Sequence, residues 1–392
     1  MRHVALLIET SGSFGRGLLR GVARYNREHS GWSTYFHPHG LGDSPPPWLK
    51  HWRGDGVLAR VSSPSIAKLL VRLKLPVVNL RWTSVEAPFP YVGLNHTKVS
   101  ELAAEQLLSL GLKYFGFCGG PVGMNPGLDQ RAEAFKEYIK TAGRGCALFP
   151  ARKPGRARQQ EWEEEQDRLA AWVLSLPKPV GIMASNDERG LQLLDACRRC
   201  GAGVPDEVAV VGVDNDELLC DLSIPPLTSI DVNTDQIGYE AANLLEKMMA
   251  GEKNPPRTTH LNPRGVVTRR STDVIASEDS EVNRALAYIR ANGGRPLSVI
   301  DVLAHVRMSR TSLQERMKRV LGRTIHEEID RVRLARVKEL LMGSDMTIKQ
   351  VTIATGFSSV QYMTRVFHAA VGETPAQFRR QRAHQKVSEG VR

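Results

Sequence analysis

Residues 309–322, SRTSLQERMKRVLG, return as residues 359–372, SVQYMTRVFHAAVG, at an offset of 50. A short apolar-periodic stretch precedes each copy, with Val299 and Val302 matching Ile348 and Val351 at an offset of 49. Each copy therefore reads as a short helix, a tight connection and a longer helix. Leu313 and Met317 in one long helix, and Met363 and Phe367 in the other, fall four apart. They share a face that can bury against the shorter helix. That is helix-turn-helix geometry, present twice. Between the copies, residues 324–343 carry Ile325, Ile329, Val332, Leu334, Val337 and Leu341, which predicts one rigid helix spacing the two units.

The charge of the chain sits with this repeat. Over 392 residues, 53 Lys and Arg face 42 Asp and Glu, a net of +11 with His neutral. Residues 281–392 hold 20 basic and 10 acidic residues, a net of +10, leaving 33 against 32 for the first 280. A basic surface gains affinity for duplex DNA by counterion release, without sequence preference. Two helices able to enter major grooves add a means of reading bases. In the first, Arg310, Thr311 and Gln314 lie near the amino end, away from the buried face, and are candidates for base edges. Lys318 and Arg319 are placed for phosphate. In the second, Val360, Gln361 and Thr364 take the corresponding positions, with Arg365 and His368 further along, and Val360 could meet a thymine methyl.

The first 250 residues have another texture. Short β-branched runs, such as VALLI at 4–8, GVLARV at 56–61, PVVNL at 76–80, PVGIMAS at 179–185 and VAVVGVD at 208–214, alternate with helical periodicity. Such alternation marks βαβ units around parallel sheets, whose strands are apolar because crossover helices cover both faces. The length admits two such lobes, with a ligand cleft at the carboxyl ends of the strands. Residues 251–280, rich in Pro, Gly, Ser and Thr, read as a last strand and a linker. The expected organisation is a two-lobed α/β sensor over 1–270, a linker over 271–284 and an all-α DNA-binding region over 285–392. A composition of 41% hydrophobic and 24% charged residues supports packed cores and excludes a disordered or collagen-like chain.

Catalytic and cofactor signatures are missing. Gly12-x-x-Gly15-x-Gly17 lacks the spacing of a dinucleotide loop, and no GxxxxGK[ST], GxSxG or HExxH occurs. No enzyme and no cofactor are expected. Five cysteines, an odd number in a long chain, argue against a disulfide scaffold. Cys197 and Cys200 have no second Cys or His pair nearby and read as a helix end, so no metal is expected. The start, MRHVALLIETSGSFGRG, lacks a signal-peptide core and cleavage site. No window reaches the roughly 18 apolar residues of a membrane span. The expectation is a soluble, cytoplasmic chain with no membrane partner.

Asp, Arg and Asn beside strand ends suit a polyol, because bidentate Arg and carboxylates take adjacent hydroxyls while an aromatic face stacks on the ring. The candidates are Ser13 and Phe14 after the first strand, Arg131 after YFGFCG, Asn186 and Asp187 after VGIMAS, Asp214 ending VAVVGVD, and Asp235 in VNTDQIG. For Asp187, Asp214 and Asp235 helix capping is the competing role.

Residues 347–380 closely resemble the second helix-turn-helix and signature tail of the arabinose-activator family. The resemblance runs through Gly356-Phe357-Ser358, Tyr362, Arg365, Phe367, Gly372, Pro375 and Phe378-Arg379. The first copy matches through Ser309, Leu313, Lys318, Gly322, Arg333 and Ala335, and the chain departs from the pattern at Met317, Thr352, Met363 and His368. This resemblance implies that both units enter successive major grooves on one face of double-stranded promoter DNA, beside RNA polymerase. Residues 3 to about 270 resemble the periplasmic-binding-like effector modules of the lactose-repressor family. Here the matching pieces are SGSFGRGLLRGV at 11–22, RAEAF at 131–135, ASNDERGLQLL at 184–194, AVVGVDND at 209–216 and IPPLTSI at 224–230. By that resemblance Arg131 and Asp214 bind sugar hydroxyls, Asn186 helps directly, and Asp187 caps or braces its helix. The chain begins at the first strand, without that family's usual amino-terminal headpiece, so DNA binding is expected from the other end. The order of the parts is similar to that of xylose-responsive activators, which implies D-xylose as effector and a homodimer. Composition and spacing do not separate a pentose from a hexose. A repressor answering another aldose, or a sugar-modifying enzyme with a DNA-targeting tail, are the alternative readings.

Overall fold

Strands form at His3–Leu7 (β1), Ser33–Phe36 (β2), Gly56–Ala59 (β3), Val77–Asn79 (β4), Tyr91–Leu94 (β5) and Tyr114–Cys118 (β6). They continue at Cys146–Leu148 (β7), Val180–Ala184 (β8), Val208–Val213 (β9), Thr228–Asp231 (β10), Thr258–Leu261 (β11) and Gly265–Val267 (β12). Between them run the helices Ser13–Tyr25 (α1), Pro64–Leu73 (α2), His96–Ser109 (α3), Pro126–Thr141 (α4), Arg158–Ser175 (α5), Asp187–Arg199 (α6), Glu217–Leu222 (α7) and Thr234–Met249 (α8). The computed structural model describes residues 1–38, 40, 43, 45–82, 88–151, 158–273 and 279–380. It divides into two units, Met1–Ile275 and Ala276–Arg392.

The first unit holds two sheets, as the alternation predicts. One has the order β11-β5-β4-β3-β1-β2 with every neighbouring pair parallel. The other has the order β12-β10-β9-β8-β6-β7, parallel except for β10 with β12. Helices cover both faces, so strand residues bury on both sides: Ala5, Leu7, Val57 and Ala59 join α2 in one cluster, while their alternating neighbours Val4 and Leu58 are fully buried on the other face. In each sheet the strand order reverses, between β1 and β3 in one and between β6 and β8 in the other. Such a switch point leaves a crevice at the carboxyl ends that no crossover helix covers.

Three connections pass between the lobes: at Asn95, at 232–233 and at 262–264. They are tied to one another. The Asn95 backbone N–H donates to Leu261, its Nδ2 donates to Asn262 at 3.0 Å, and the Arg264 N–H donates to Asp231 at 2.8 Å.

The glycine-rich stretch 11–22 carries most of α1. A Cβ at Gly21 would lie 1.8 Å from the Asp235 carbonyl oxygen, and one at Gly238 would lie 2.1 Å from that of Leu18. Helices α1 and α8 therefore touch backbone to backbone, which only glycine permits.

The second unit is helical: Ser280–Asn292 (α9), Val299–Val306 (α10), Arg310–Leu321 (α11), Ile325–Gly343 (α12), Ile348–Ala354 (α13) and Val360–Val371 (α14). The repeat extends to its caps. Capping boxes at Ser298 with Asp301 and at Thr347 with Gln350 start the short helices. Ser309 and Ser359 cap the long ones, which end on left-handed Gly322 and Gly372. Thr324 caps α12, and Thr374 holds the matching position after α14, where its hydroxyl accepts from the Gln377 N–H. Two cores result, with α12 lending Ile325, Ile329 and Val332 to the first and Leu334, Val337 and Leu341 to the second.

Ordered structure reaches into the expected 271–284 linker from both sides. Ser271 is buried under the second lobe, donating to the Val210 carbonyl, and Val282 is buried in the first helical core. Residues 274–278 lie outside the described residues.

Replacing Gly21 by Ala should cost about 1–3 kcal/mol through overpacking of α1 on α8. Gly12→Ala, where a Cβ meets nothing within 4 Å, should leave the thermal midpoint unchanged. Equal midpoints for both variants would contradict the tight contact.

Candidate effector cleft and nucleic-acid interface

Charged side chains collect at the two switch points. Glu9 follows β1 and Arg60 follows β3. The Arg60 guanidinium donates to the Glu9 carboxylate and lies over the Phe14 ring at 4.9 Å. Phe14 is held there because α1 starts at Ser13, directly beyond the β1 end. Both partners of the ion pair are nearly closed to solvent, with side-chain exposures of 13% and 7%. Burial, then repulsion from Arg81, lowers the Arg60 guanidinium to about 9, still charged at neutral pH.

The opposing lobe offers Arg131 and Asp214. Arg131, on α4 and 3% exposed, donates to the Ser185 carbonyl, and its Nη2 lies 3.4 Å from His96 Nδ1. Burial, then Arg131 and His260, lowers His96 to about 3, so its imidazole is neutral. Asp214 closes β9 with a φ of 110°, a region that L residues rarely adopt. Burial raises its carboxyl above the ordinary range, against the pull of Arg131 and Arg60. Arg60 thus links the lobes: stacked on Phe14, paired with Glu9, and within electrostatic reach of Asp214. Among the described residues, the buried Nε atoms of Arg60 and Arg131 have no hydrogen-bond partner. Buried donors in this state are costly until a ligand with hydroxyls satisfies them.

Asn186 and Asp187 fall beside this group, and Asp235 lies in the first turn of α8. Asn186 caps α6, its Oδ1 accepting from the Arg189 N–H at 3.0 Å. Asp187, 1% exposed, accepts from Ser229 Oγ at 2.6 Å, from the Asp216 N–H at 2.7 Å and from the Cys220 thiol at 3.5 Å. It braces α6 against the ends of β9 and β10, and burial and Asp214 push its carboxyl up. Asp235 is engaged by Arg264 at 2.8 Å and Arg24 at 3.4 Å. Arg16 on α1 donates to the Thr10 and Ser11 carbonyls and comes within 3.8 Å of Asp216 on the second lobe, bridging the two.

Several cleft residues escaped the sequence reading. Glu9 and Arg60 each follow an apolar strand run directly, in VALLIE and GVLAR, and that placement was the available signal. Trp82, Tyr91 and His260 form an aromatic wall with ring centroids 5.1–5.8 Å apart. Tyr91 feels Arg60 and Arg131, and burial raises its hydroxyl to about 12.

In the helical unit the ten predicted contact residues lie on the two long helices. Arg310, Thr311 and Lys318 are exposed on α11 with Gln314 half-buried, while Leu313 and Met317 are fully buried. On α14, Val360, Gln361, Thr364, Arg365 and His368 line one depression of about 590 Å³ with Thr374. Arg365 also lies over the Tyr362 ring at 5.3 Å. No helix among the described residues is long and apolar enough to cross a membrane, and no cluster among them could hold a metal ion.

Comparison with known proteins respects the same division. A periplasmic binding protein-like domain family matches residues 104–272, and a helix-turn-helix domain family matches residues 302–381. The chain is 31% identical over 382 residues to the xylose operon regulatory protein of Haemophilus influenzae, covering 96% of this chain and 97% of the relative. It is 29% identical over 385 residues to the protein of the same name from Escherichia coli K12, with the same coverage. A solved structure described as xylose-binding transcription activator xylR superposes with a TM-score of 0.78 at 28% identity, covering 96% of this chain and 97% of that one. Similarity of this extent spans both lobes and both helix-turn-helix units, and the chain belongs to the family of xylose operon regulatory proteins.

Proposed function

We propose that the protein is a transcription activator that binds D-xylose in the cleft and promoter DNA through both helix-turn-helix units. One observation carries the reading: a cleft in which the buried Nε atoms of Arg60 and Arg131 lack partners, facing an Asp214 carboxyl held above its ordinary range, shares a chain with two exposed recognition helices. Xylose as the sugar is supported by the names of the full-length relatives. The assignment of 1–270 to the sensor, 271–284 to the linker and 285–392 to DNA binding belongs to the same reading. So do the homodimer, recruitment of RNA polymerase and a cytoplasmic location. The relatives are regulators, and the cleft serves as a sensor rather than an active site.

Sugar hydroxyls would donate to Asp214 and accept from Arg131 and Arg60, with Phe14 and the Trp82 wall against the ring. Groups from both lobes then share one ligand, which favours the closed form. Switching most of the population takes roughly 3–5 kcal/mol of differential binding, within reach of a few buried charge-assisted bonds.

DNA affinity of the full chain should rise about tenfold or more when D-xylose is added, with smaller effects from L-arabinose, D-ribose and D-glucose. Titration of promoter DNA by anisotropy measures this, and equal affinity with and without every sugar would overturn the reading. Asp214→Asn should abolish the sugar-induced rise in thermal midpoint. The sign of its effect on the free protein comes from linkage. The folded Asp214 carboxyl lies above its unfolded value, so wild-type stability falls as pH rises through the carboxylate range up to the folded value. At pH 7.5 the Asn variant should therefore be at least as stable as wild type, and the gap should close towards pH 4. Arg365→Ala should weaken binding to all duplexes and reduce the salt slope by about one, whereas Gln361→Ala or Gln314→Ala should change which bases are preferred. A sequence-selective loss for Arg365→Ala would reassign it to base reading.

A further inference from the structure

We propose that Tyr362, Asp330 and Arg333 form a fixed joint between the two helix-turn-helix units, and that this joint sets the spacing of the two groove sites that the protein reads. The proposal rests on DNA binding by both units.

A shared helix alone does not determine how two units are rotated about it. Helix α12 contributes to both cores, and its Arg333 and Asp330 reach into both units, while the turn of the second unit also meets the loop before the first directly. Arg333, buried, donates through Nη2 to the Leu297 carbonyl at 2.8 Å, in the segment that leads into α10. The same guanidinium lies over the Phe357 ring at 5.6 Å, in the turn of the second unit. Asp330, one turn earlier on α12 and also buried, accepts from the Tyr362 hydroxyl at 2.6 Å. Tyr362 belongs to α14, the helix that presents Gln361, Thr364 and Arg365. Finally, Gly356 has a φ of 69°, and a Cβ there would lie 2.2 Å from the Arg295 carbonyl oxygen. The turn of the second unit is thus seated on the loop before α10.

The second turn is built for this contact. The repeat slips from an offset of 49 in the short helices to 50 in the long ones, and the second turn spans 355–359 against 307–309 in the first. Phe357 occupies this turn, buried in the second core and facing both Arg333 and Tyr362. The first turn makes its left-handed residue with Arg307 and has no aromatic. None of Tyr362, Asp330 and Arg333 needs to touch DNA for this role. They act as positioning residues, through the angle at which α14 is held relative to α11.

Duplex geometry makes the role measurable. Each base pair inserted between two major-groove sites moves the second by about 3.4 Å and turns it by about 35°. A rigid joint cannot follow that change, and a loosened one can. The experiment uses the full chain with D-xylose and a duplex selected by wild-type protein from a random-sequence pool. The two protected grooves are located by footprinting, and one base pair is then inserted or removed between them. Wild type should prefer its own spacing strongly. Tyr362→Phe removes only the hydroxyl, and Arg333→Met keeps the apolar stem over Phe357 but loses the bond to Leu297. Either change should lower the preference ratio about tenfold, by losing affinity at the native spacing while keeping or gaining it at the altered ones.

An unchanged ratio in both variants would overturn the joint. So would an equal loss at every spacing, which would mark Tyr362 as a phosphate contact, and so would loss of folding in both variants, which would assign these residues to stability alone. Failure of wild type to select any duplex would instead overturn DNA binding itself.

Discussion

Charge taken out of water at the ends of two parallel sheets is the constraint on which the sensor depends. Helices cover both faces of each sheet, so the uncovered places in a lobe are the crevices where strand order reverses. Glu9, Arg60, Arg131 and Asp214 occupy those crevices, and each needs partners that its own element cannot supply. The Glu9–Arg60 ion pair, and the pull of Arg131 and Arg60 on Asp214, exist only when β1, β3, α4 and β9 are all in place. The packing behind them serves that end. A Cβ at Gly15 would strike the Glu9 carbonyl at 1.8 Å, and Gly21 lets α1 lie directly on α8. These two close approaches seat the start of α1 so that Phe14 reaches the Arg60 guanidinium.

The helical unit solves a different problem with similar economy. Each copy has a small core that would be marginal alone, and α12 is shared so that each core gains a wall from it. Sharing a helix also ties the copies together, and buried Arg333 and Asp330 lie where the shared helix changes sides. Burying this pair is tolerable because Leu297, Phe357 and Tyr362 engage its charges from both units.

Much of this architecture was legible in the sequence, because it is written in local period and in repetition. Alternating apolar runs gave the lobes, and the 49 and 50 residue offsets gave both helix-turn-helix units down to their exposed faces. Asp214 stood out in the sequence because it ends an apolar strand run, and Arg131 through the resemblance of RAEAF to an effector module. What local reading missed depends on distant partners. Nothing near Asp235 announces Arg24, 211 residues away, and nothing near Gly21 announces α8. Arg60 looked ordinary until β1 brought Glu9 beside it. Asn186 reads as a polar group at a strand end, yet its Oδ1 is occupied by the helix it starts.

The unmatched charge in the cleft also bears on how long the protein lasts. Buried donors without partners, and a carboxylate held above its ordinary range, leave the unliganded sensor less stable than the same fold with those groups satisfied. Proteolysis draws on the population that is transiently open, and one or two kcal/mol can change steady-state abundance several-fold. A ligand that fills this cleft therefore acts on two quantities at once, the activity of each molecule and the number of molecules that survive to show it.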